Sequence, residues 1–262
     1  MDIASLIGLA VGLGAIFVAM IMEGGNPADL VSHPSPIILV LGGSLGATMV
    51  GYTVKDLTGI AKVTMKAFFP GPPHDRGGAI GQMVDFADRA RRDGLLALEE
   101  DAKNIDDDFL RKGVQMAIDG TDPESVREVL ETEVATLRER HKVGAAFFGH
   151  LGAFAPTIGI IGTVIGLVHA LEQLDDPSSI GPLIGAAFLA TLWGVMSANC
   201  LFLPISNKLK RVSAEEVAYK ELVLEGILAI QSGSTPRMVA EKLKTFLPPK
   251  EREDVGEVKK SA

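Results

Sequence analysis

One cysteine, Cys200, in 262 residues excludes an internal disulfide framework. Aromatic residues make up only 5% of the chain, with one tryptophan and two tyrosines, which leaves little material for a base-stacking platform. The formal net charge of −8 opposes non-specific attraction to a polyanion, so no nucleic acid is expected as a partner. There is no P-loop, no GxSxG elbow, no HExxH pair and no cluster of Cys and His; the five histidines (His33, His74, His141, His150, His169) are scattered. GIIG and GTVIG, between residues 159 and 166, lie inside an apolar run without the strand–loop–helix context of a nucleotide loop. The sequence therefore gives no support for an enzyme, a catalytic residue, a bound cofactor or a metal.

The most informative absence is positional. All 25 Lys and Arg fall in two blocks, 14 in residues 55–142 and 11 in residues 208–262, and residues 1–54 and 143–207 have none. Mean hydropathy is high for a soluble chain, at +0.27. The basic-free blocks hold four uncharged runs: residues 3–22, 37–54, Phe147 to Leu171 and Ile180 to Ile205. Twenty helical residues span roughly 30 Å, the thickness of the hydrocarbon core. Residues 23–36 and 172–179 join the runs pairwise; they are acidic, with turn-forming Pro. The first run lacks a basic leader and exceeds a signal-peptide core, so it is expected to be a retained span. By the positive-inside rule both Lys/Arg blocks and both termini face the cytoplasm.

The fold class expected is an all-α integral membrane protein. It has four transmembrane helices, a helical cytoplasmic domain between spans two and three, and a cytoplasmic C-terminal helical tail. The domain boundaries expected are 1–54, 55–146, 147–205 and 206–262. In the first cytoplasmic block, helices are predicted from about Ala79 to Arg92 (Ile80, Met83, Val84 and Ala87 on one face), through DDDFLRKGVQMAID, and after Asp122-Pro123. The last of these should bury Val126, Val129, Leu130, Val134 and Leu137. An amphipathic segment follows from Asn207 to Ser232, then a helix from Thr235-Pro236; the charged tail after Lys250 is expected to be disordered.

Inside the bilayer no Asp, Glu, Lys or Arg stands at midplane depth, whereas an ion path normally needs an ionisable group there. If the chain conducts ions, a partner must supply the carboxylate. What is present at depth is proline and hydroxyl: Pro156, Thr157 and Thr163 in span three, Thr191 and Ser197 in span four. Each threonine could simply bond its own i−4 carbonyl. Taken together, beside glycines, they read as one polar, pore-facing stripe. The glycines of all four spans suit close helix packing, within one chain or between copies.

These residues carry a resemblance. APTIGIIGTVIGLVHAL (155–171) and AAFLATLWGVMSANCLFLP (186–204) resemble spans three and four of the MotA/PomA family of flagellar stator subunits. ARRDGLLALEED (90–101) and VLEGILAIQSGSTPRMVAEKLKTFLP (223–248) resemble its cytoplasmic segments. The resemblance implies a homopentamer in the bacterial inner membrane around two copies of a MotB/PomB-like single-span partner, whose aspartate binds the ion. Ion flow would then produce torque on the rotor protein FliG. On matching positions it implies Arg91 and Glu99, with Arg92 and Glu100 beside them, as rotor contacts. The bland alternative is a solvated face with weak ion pairs. The resemblance also implies Pro156 and Pro204 as coupling prolines and Thr191 as pore-lining. Thr163 resembles the sodium-driven, PomA-like members, so Na⁺ is favoured over H⁺ as the translocated ion. Glu23 and the first external loop depart from the pattern and receive no role. The alternative reading is a TolQ/ExbB-like proton-channel subunit energising envelope processes, a family that typically has three spans.

Overall fold

The computed structural model describes residues 3–68 and 75–254, and no strand occurs among them. The helices are α1 (Ile3–Met22), α2 (Asp29–Ser32), α3 (Pro34–Met49), α4 (Val54–Phe68), α5 (Arg76–Asp93), α6 (Glu99–Lys103), α7 (Asp108–Ile118), α8 (Pro123–Leu171), α9 (Pro177–Gln231), α10 (Pro236–Lys244) and α11 (Pro249–Asp254). A 3₁₀ turn, Leu95–Leu98, links α5 to α6. Short π turns interrupt α3 at Ile38–Gly42 and α9 at Ala198–Phe202.

Local chemistry sets the helix starts. Asp122, Asp176 and Thr235 each precede a proline, and each side chain accepts a backbone N–H of the first turn: Ser125 N at 3.0 Å, Ser178 N at 3.1 Å and Met238 N at 3.3 Å. Proline at the first helical position gives up an N–H that would be unpaired anyway. Asp107 caps α7 through Phe109 N and Leu110 N, at 2.8 and 2.9 Å. Burial pushes the Tyr219 hydroxyl up, and the Asp107 and Asp75 carboxylates add to that shift. At the start of α4, Thr53 and Asp56 form a reciprocal pair of side-chain to backbone bonds. The side-chain bond from Thr53 holds the Asp56 carboxyl below its ordinary value.

Among the described residues three helices are long and apolar enough to cross a membrane: α1, α8 and α9. The second run, expected over 37–54, forms the shorter apolar helix α3, roughly 24 Å long. It starts earlier, because Pro34 occupies its first position, and it ends earlier. Gly51 N and Tyr52 N bond the Thr48 and Met49 carbonyls at i−3, and the α4 cap then begins at Thr53. No chain break separates apolar from charged sequence at residues 146/147 or 205/206, since both lie within α8 and α9.

The chain divides into two compact units. The first comprises the described residues of Met1–Gly71 with His141–Val212; the second comprises those of Pro72–Arg140 with Ser213–Ala262. In the first, Val40, Phe147, Phe148, Leu151, Ala155, Ala198 and Phe202 form a buried cluster. In the second, Ile80, Met83, Leu98, Phe109, Leu110, Leu130, Leu222 and Ile227 form the core. Ile80, Met83, Val84 and Ala87 are all buried, as their spacing predicts. Val126, Leu130, Val134 and Leu137 are buried too, but Val129 is 39% exposed; it sits one residue off the buried i, i+4, i+8 line. After Lys250 the chain continues as α11 to Asp254, with Arg252 Nε donating to the Leu247 carbonyl at 2.8 Å. Disorder was expected there; the rest of that tail, like His74, lies outside the described residues.

Candidate functional site

Two sets of residues are placed by these units. In the first unit, α8 and α9 approach backbone to backbone. A Cβ added at Gly159 would stand 2.7 Å from the Ala190 carbonyl, and one at Gly194 would stand 2.6 Å from the Ala155 carbonyl. Gly162 and Gly166 leave equally little room against Ala190 and Ala187. Small residues on both helices thus serve packing inside the chain. Gly8, Gly12 and Gly14 of α1 and Gly185 of α9 have nothing within 4 Å.

This close approach brings the Thr163 and Thr191 hydroxyls into direct contact across the two helices. The Thr163 hydroxyl also lies 3.1 Å from the Gly159 carbonyl, its own i−4 position, and 3.1 Å from the Ala187 carbonyl on α9. One hydroxyl therefore makes both the local bond and the cross-helix contact, and four oxygens converge at a half-buried point. An oxygen cluster of this kind can replace part of the water shell of a hard cation or relay a hydrogen bond.

The rest of the expected stripe is not gathered there. Thr157 is exposed and donates to the Phe154 carbonyl at 2.8 Å, and Ser197 donates to the Gly194 carbonyl at 3.2 Å. Pro156 abuts the contact, its Cα 3.2 Å from a Cβ added at Gly194. Pro204 lies elsewhere, just past the π turn of α9. It lines a cavity of about 350 Å³ with Ser5, Gly8, Gly12, Cys200 and Lys208.

Sequence reasoning passed over Ser44 and Thr48 of α3, which are fully buried and bond the Val40 and Ser44 carbonyls at 2.6 and 2.8 Å. It also passed over Tyr52, whose hydroxyl meets His150 Nδ1 at 3.1 Å, and Trp193, whose Nε1 donates to the Leu30 carbonyl at 2.9 Å. The i, i+4 spacing of Ser44 and Thr48 was a usable signal; the other two pairings join residues about a hundred or more apart and had none. No group of three or more His, Cys, Asp or Glu able to hold a metal occurs among the described residues.

In the second unit Arg91, Arg92, Glu99 and Glu100 are all exposed on the two sides of one turn, the arginines ending α5 and the glutamates opening α6. Arg92 pairs with Asp88 at 2.5 Å and Glu99 with Lys103 at 3.6 Å, whereas Arg91 and Glu100 have no ion pair among the described residues. Gly94 makes the turn at φ +84°, a conformation that side chains rarely adopt.

Comparison with known proteins extends over almost the whole chain. Residues 101–222 match the MotA/TolQ/ExbB proton channel family, and residues 6–92 match the motility protein A N-terminal family. Motility protein A of Bacillus subtilis is 36% identical over 252 residues, covering 96% of this chain and 93% of that protein. Chemotaxis protein PomA of Vibrio alginolyticus is 38% identical over 249 residues, covering 94% and 96%. Among solved structures, C. jejuni MotAB superposes with a TM-score of 0.89 at 33% identity, covering 95% of this chain and 97% of that one. The flagellar MotAB stator complex of Bacillus subtilis gives 0.88 at 35%, with the same coverage. Similarity at this level, end to end in sequence and in fold, shows that the chain belongs to the MotA/PomA family of motility proteins.

Proposed function

We infer that the chain is a flagellar motor stator subunit. With a MotB/PomB-like partner it forms a transmembrane ion channel and converts ion flow into torque that drives motility. The observation that carries the reading is near full-length similarity to chains of MotAB stator complexes, in a protein whose four uncharged runs hold no carboxylate. An ion path through hydrocarbon normally needs an ionisable group, and in this reading it comes from the partner's single span. The match to the motility protein A N-terminal family favours this reading over an envelope-energising TolQ/ExbB-like subunit.

Within that reading α3 is the fourth membrane crossing, and both termini with both basic blocks lie in the cytoplasm of an inner-membrane protein. Five copies of the chain surround two of the partner. Arg91, Arg92, Glu99 and Glu100 meet the rotor protein FliG; exposed charges across such an interface steer and orient more than they bind. Pro156 and Pro204, each lacking an N–H within a continuous helix, are the points at which ion passage bends it. Thr163 and Thr191, with the Gly159 and Ala187 carbonyls, offer a dehydrated Na⁺ the oxygens it needs, and Thr157 lines the same path. Swimming speed is expected to rise with external Na⁺ at fixed pH, and Thr163→Ala to lower the response. Indifference to Na⁺ in both proteins would establish the proton as the coupling ion.

A further inference from the structure

We propose that Leu96 is the apolar anchor of the rotor-facing patch. Its occupant is the rotor protein, through a surface that presents an aliphatic recess between an acidic and a basic side chain. The inference rests on the stator reading above and adds to it the residue that supplies affinity.

In the Leu95–Leu98 turn, Leu98 is 1% exposed and Leu95 packs against the core, while Leu96 is 72% exposed. Among the described residues it is the most exposed large hydrophobic of its unit, ahead of Met238 at 62% and Val129 at 39%. Its exposure does not come from a loose loop. Gly94 N donates to the Ala90 carbonyl at 3.0 Å and Ala97 N to the Gly94 carbonyl at 3.2 Å. Arg89 pairs with Asp101 across the turn, and Leu98 pins its far end in the core. The fold therefore spends a glycine-only backbone conformation to hold an apolar side chain in water.

The charges around it are mostly sorted by sign, with exposed Asp93 the one acid between the arginines and the turn. Arg91 and Arg92 stand on the chain before Leu96, and Glu99 and Glu100 stand after it. Arg91 and Glu100 are left without an ion pair among the described residues. Solvated charges alone hold a partner weakly. Interfaces that hold place a desolvated apolar residue at the centre and polar groups at the rim. Leu96 between the two charge pairs has that arrangement. Its complement is a surface with an acidic group towards Arg91, a basic group towards Glu100 and an apolar recess between them.

The test uses the full chain with its partner in motile cells. Leu96→Asp is expected to cut swimming speed about fivefold or more, the scale of losing a central interface contact. Membrane level and co-purification with the single-span partner should be unchanged. Leu96→Met should restore swimming, and a photocrosslinking amino acid at position 96 should capture the rotor protein. Normal swimming by Leu96→Asp, with Arg91→Glu impaired, overturns the anchor and leaves the stator reading in place. Normal swimming by both overturns the rotor-contact role of the whole patch. Capture of a second copy of this chain instead of the rotor protein overturns the proposal as well. Should Leu96→Asp lower the membrane level, Leu96→Gln decides by the same criteria.

Discussion

At the scale of single residues, Gly159 and Thr163 show how a small side chain and a polar one depend on each other. The Thr163–Thr191 contact exists because Gly159, Ala190 and Gly194 let two backbones touch. Gly159→Leu would drive side-chain atoms into the Ala190 carbonyl and the Thr191 backbone, which cannot yield as a side chain can. Overpacking at such a contact costs about 1–3 kcal/mol or more; membrane level of the variant should fall, as an immunoblot would read, whereas Gly185→Ala, with nothing within 4 Å, should leave it unchanged. The sequence made small residues and hydroxyls legible as a class. It could not say which glycines meet a neighbour within the chain, because that depends on the register of α8 against α9. In the second unit Glu225 is bonded by Lys242 at 2.5 Å and Arg127 at 3.1 Å. Burial raises its carboxyl, but the two cations outweigh that and hold it below its ordinary value of 4.5. Its stabilising effect is therefore complete above that value and is lost as pH falls through the lowered one. Glu225→Gln should cost about 1 kcal/mol near neutral pH, discounted for exposed partners. The gap from the parent should close in strong acid, measured by thermal unfolding of the detergent-solubilised protein.

At the scale of elements, caps and prolines set the boundaries that the sequence announced well. Asp122-Pro123 and Thr235-Pro236 start helices where their chemistry predicts, and α5 runs from Arg76 to Asp93 around the predicted core of residues 79–92. Hydropathy alone overran α3, because Tyr52, Thr53 and Val54 are uncharged yet belong to a turn, a cap and the start of α4. The π turns had no sequence signal; each inserts one residue into a helix whose periodicity otherwise continues. The turn after α5 is legible at Asp93-Gly94, but its conformation is not. Gly94 has nothing within 4 Å of an added Cβ, so Gly94→Ala is opposed by backbone conformation rather than by crowding. The strain should be of order 1–3 kcal/mol. Its expected effect is a motility defect larger than the loss of protein, since the turn carries the whole patch from Arg91 to Glu100. A variant that swims normally would show that the turn tolerates another shape.

At the scale of the whole molecule, the chain is incomplete in two ways that bear on assembly. No residue of α1 is buried, and Ile3, Ile7, Val11, Val18 and Ile21 are more than half exposed. A Cβ added at Gly8, Gly12 or Gly14 on the same helix would meet nothing within 4 Å, while Gly159, Gly162, Gly166 and Gly194 of α8 and α9 are closely packed within the chain. Lipid can cover apolar side chains, but it gains nothing from a glycine face; close packing by another protein helix does. The second gap is chemical, since the uncharged runs of residues 3–22, 37–54, 147–171 and 180–205 hold hydroxyls and no carboxylate, whereas an ion path normally has an ionisable group there. A single copy thus leaves both a packing face and a charge to be supplied from outside, and a ring of copies around a partner supplies both. The purified complex is expected to contain five copies of this chain and two of a single-span partner, as native mass spectrometry in mild detergent would count them. The chain expressed alone should still associate, because the glycine face belongs to it and not to the partner. A stable monomer with and without the partner would overturn the ring, and a closed ring of another size would overturn only its number.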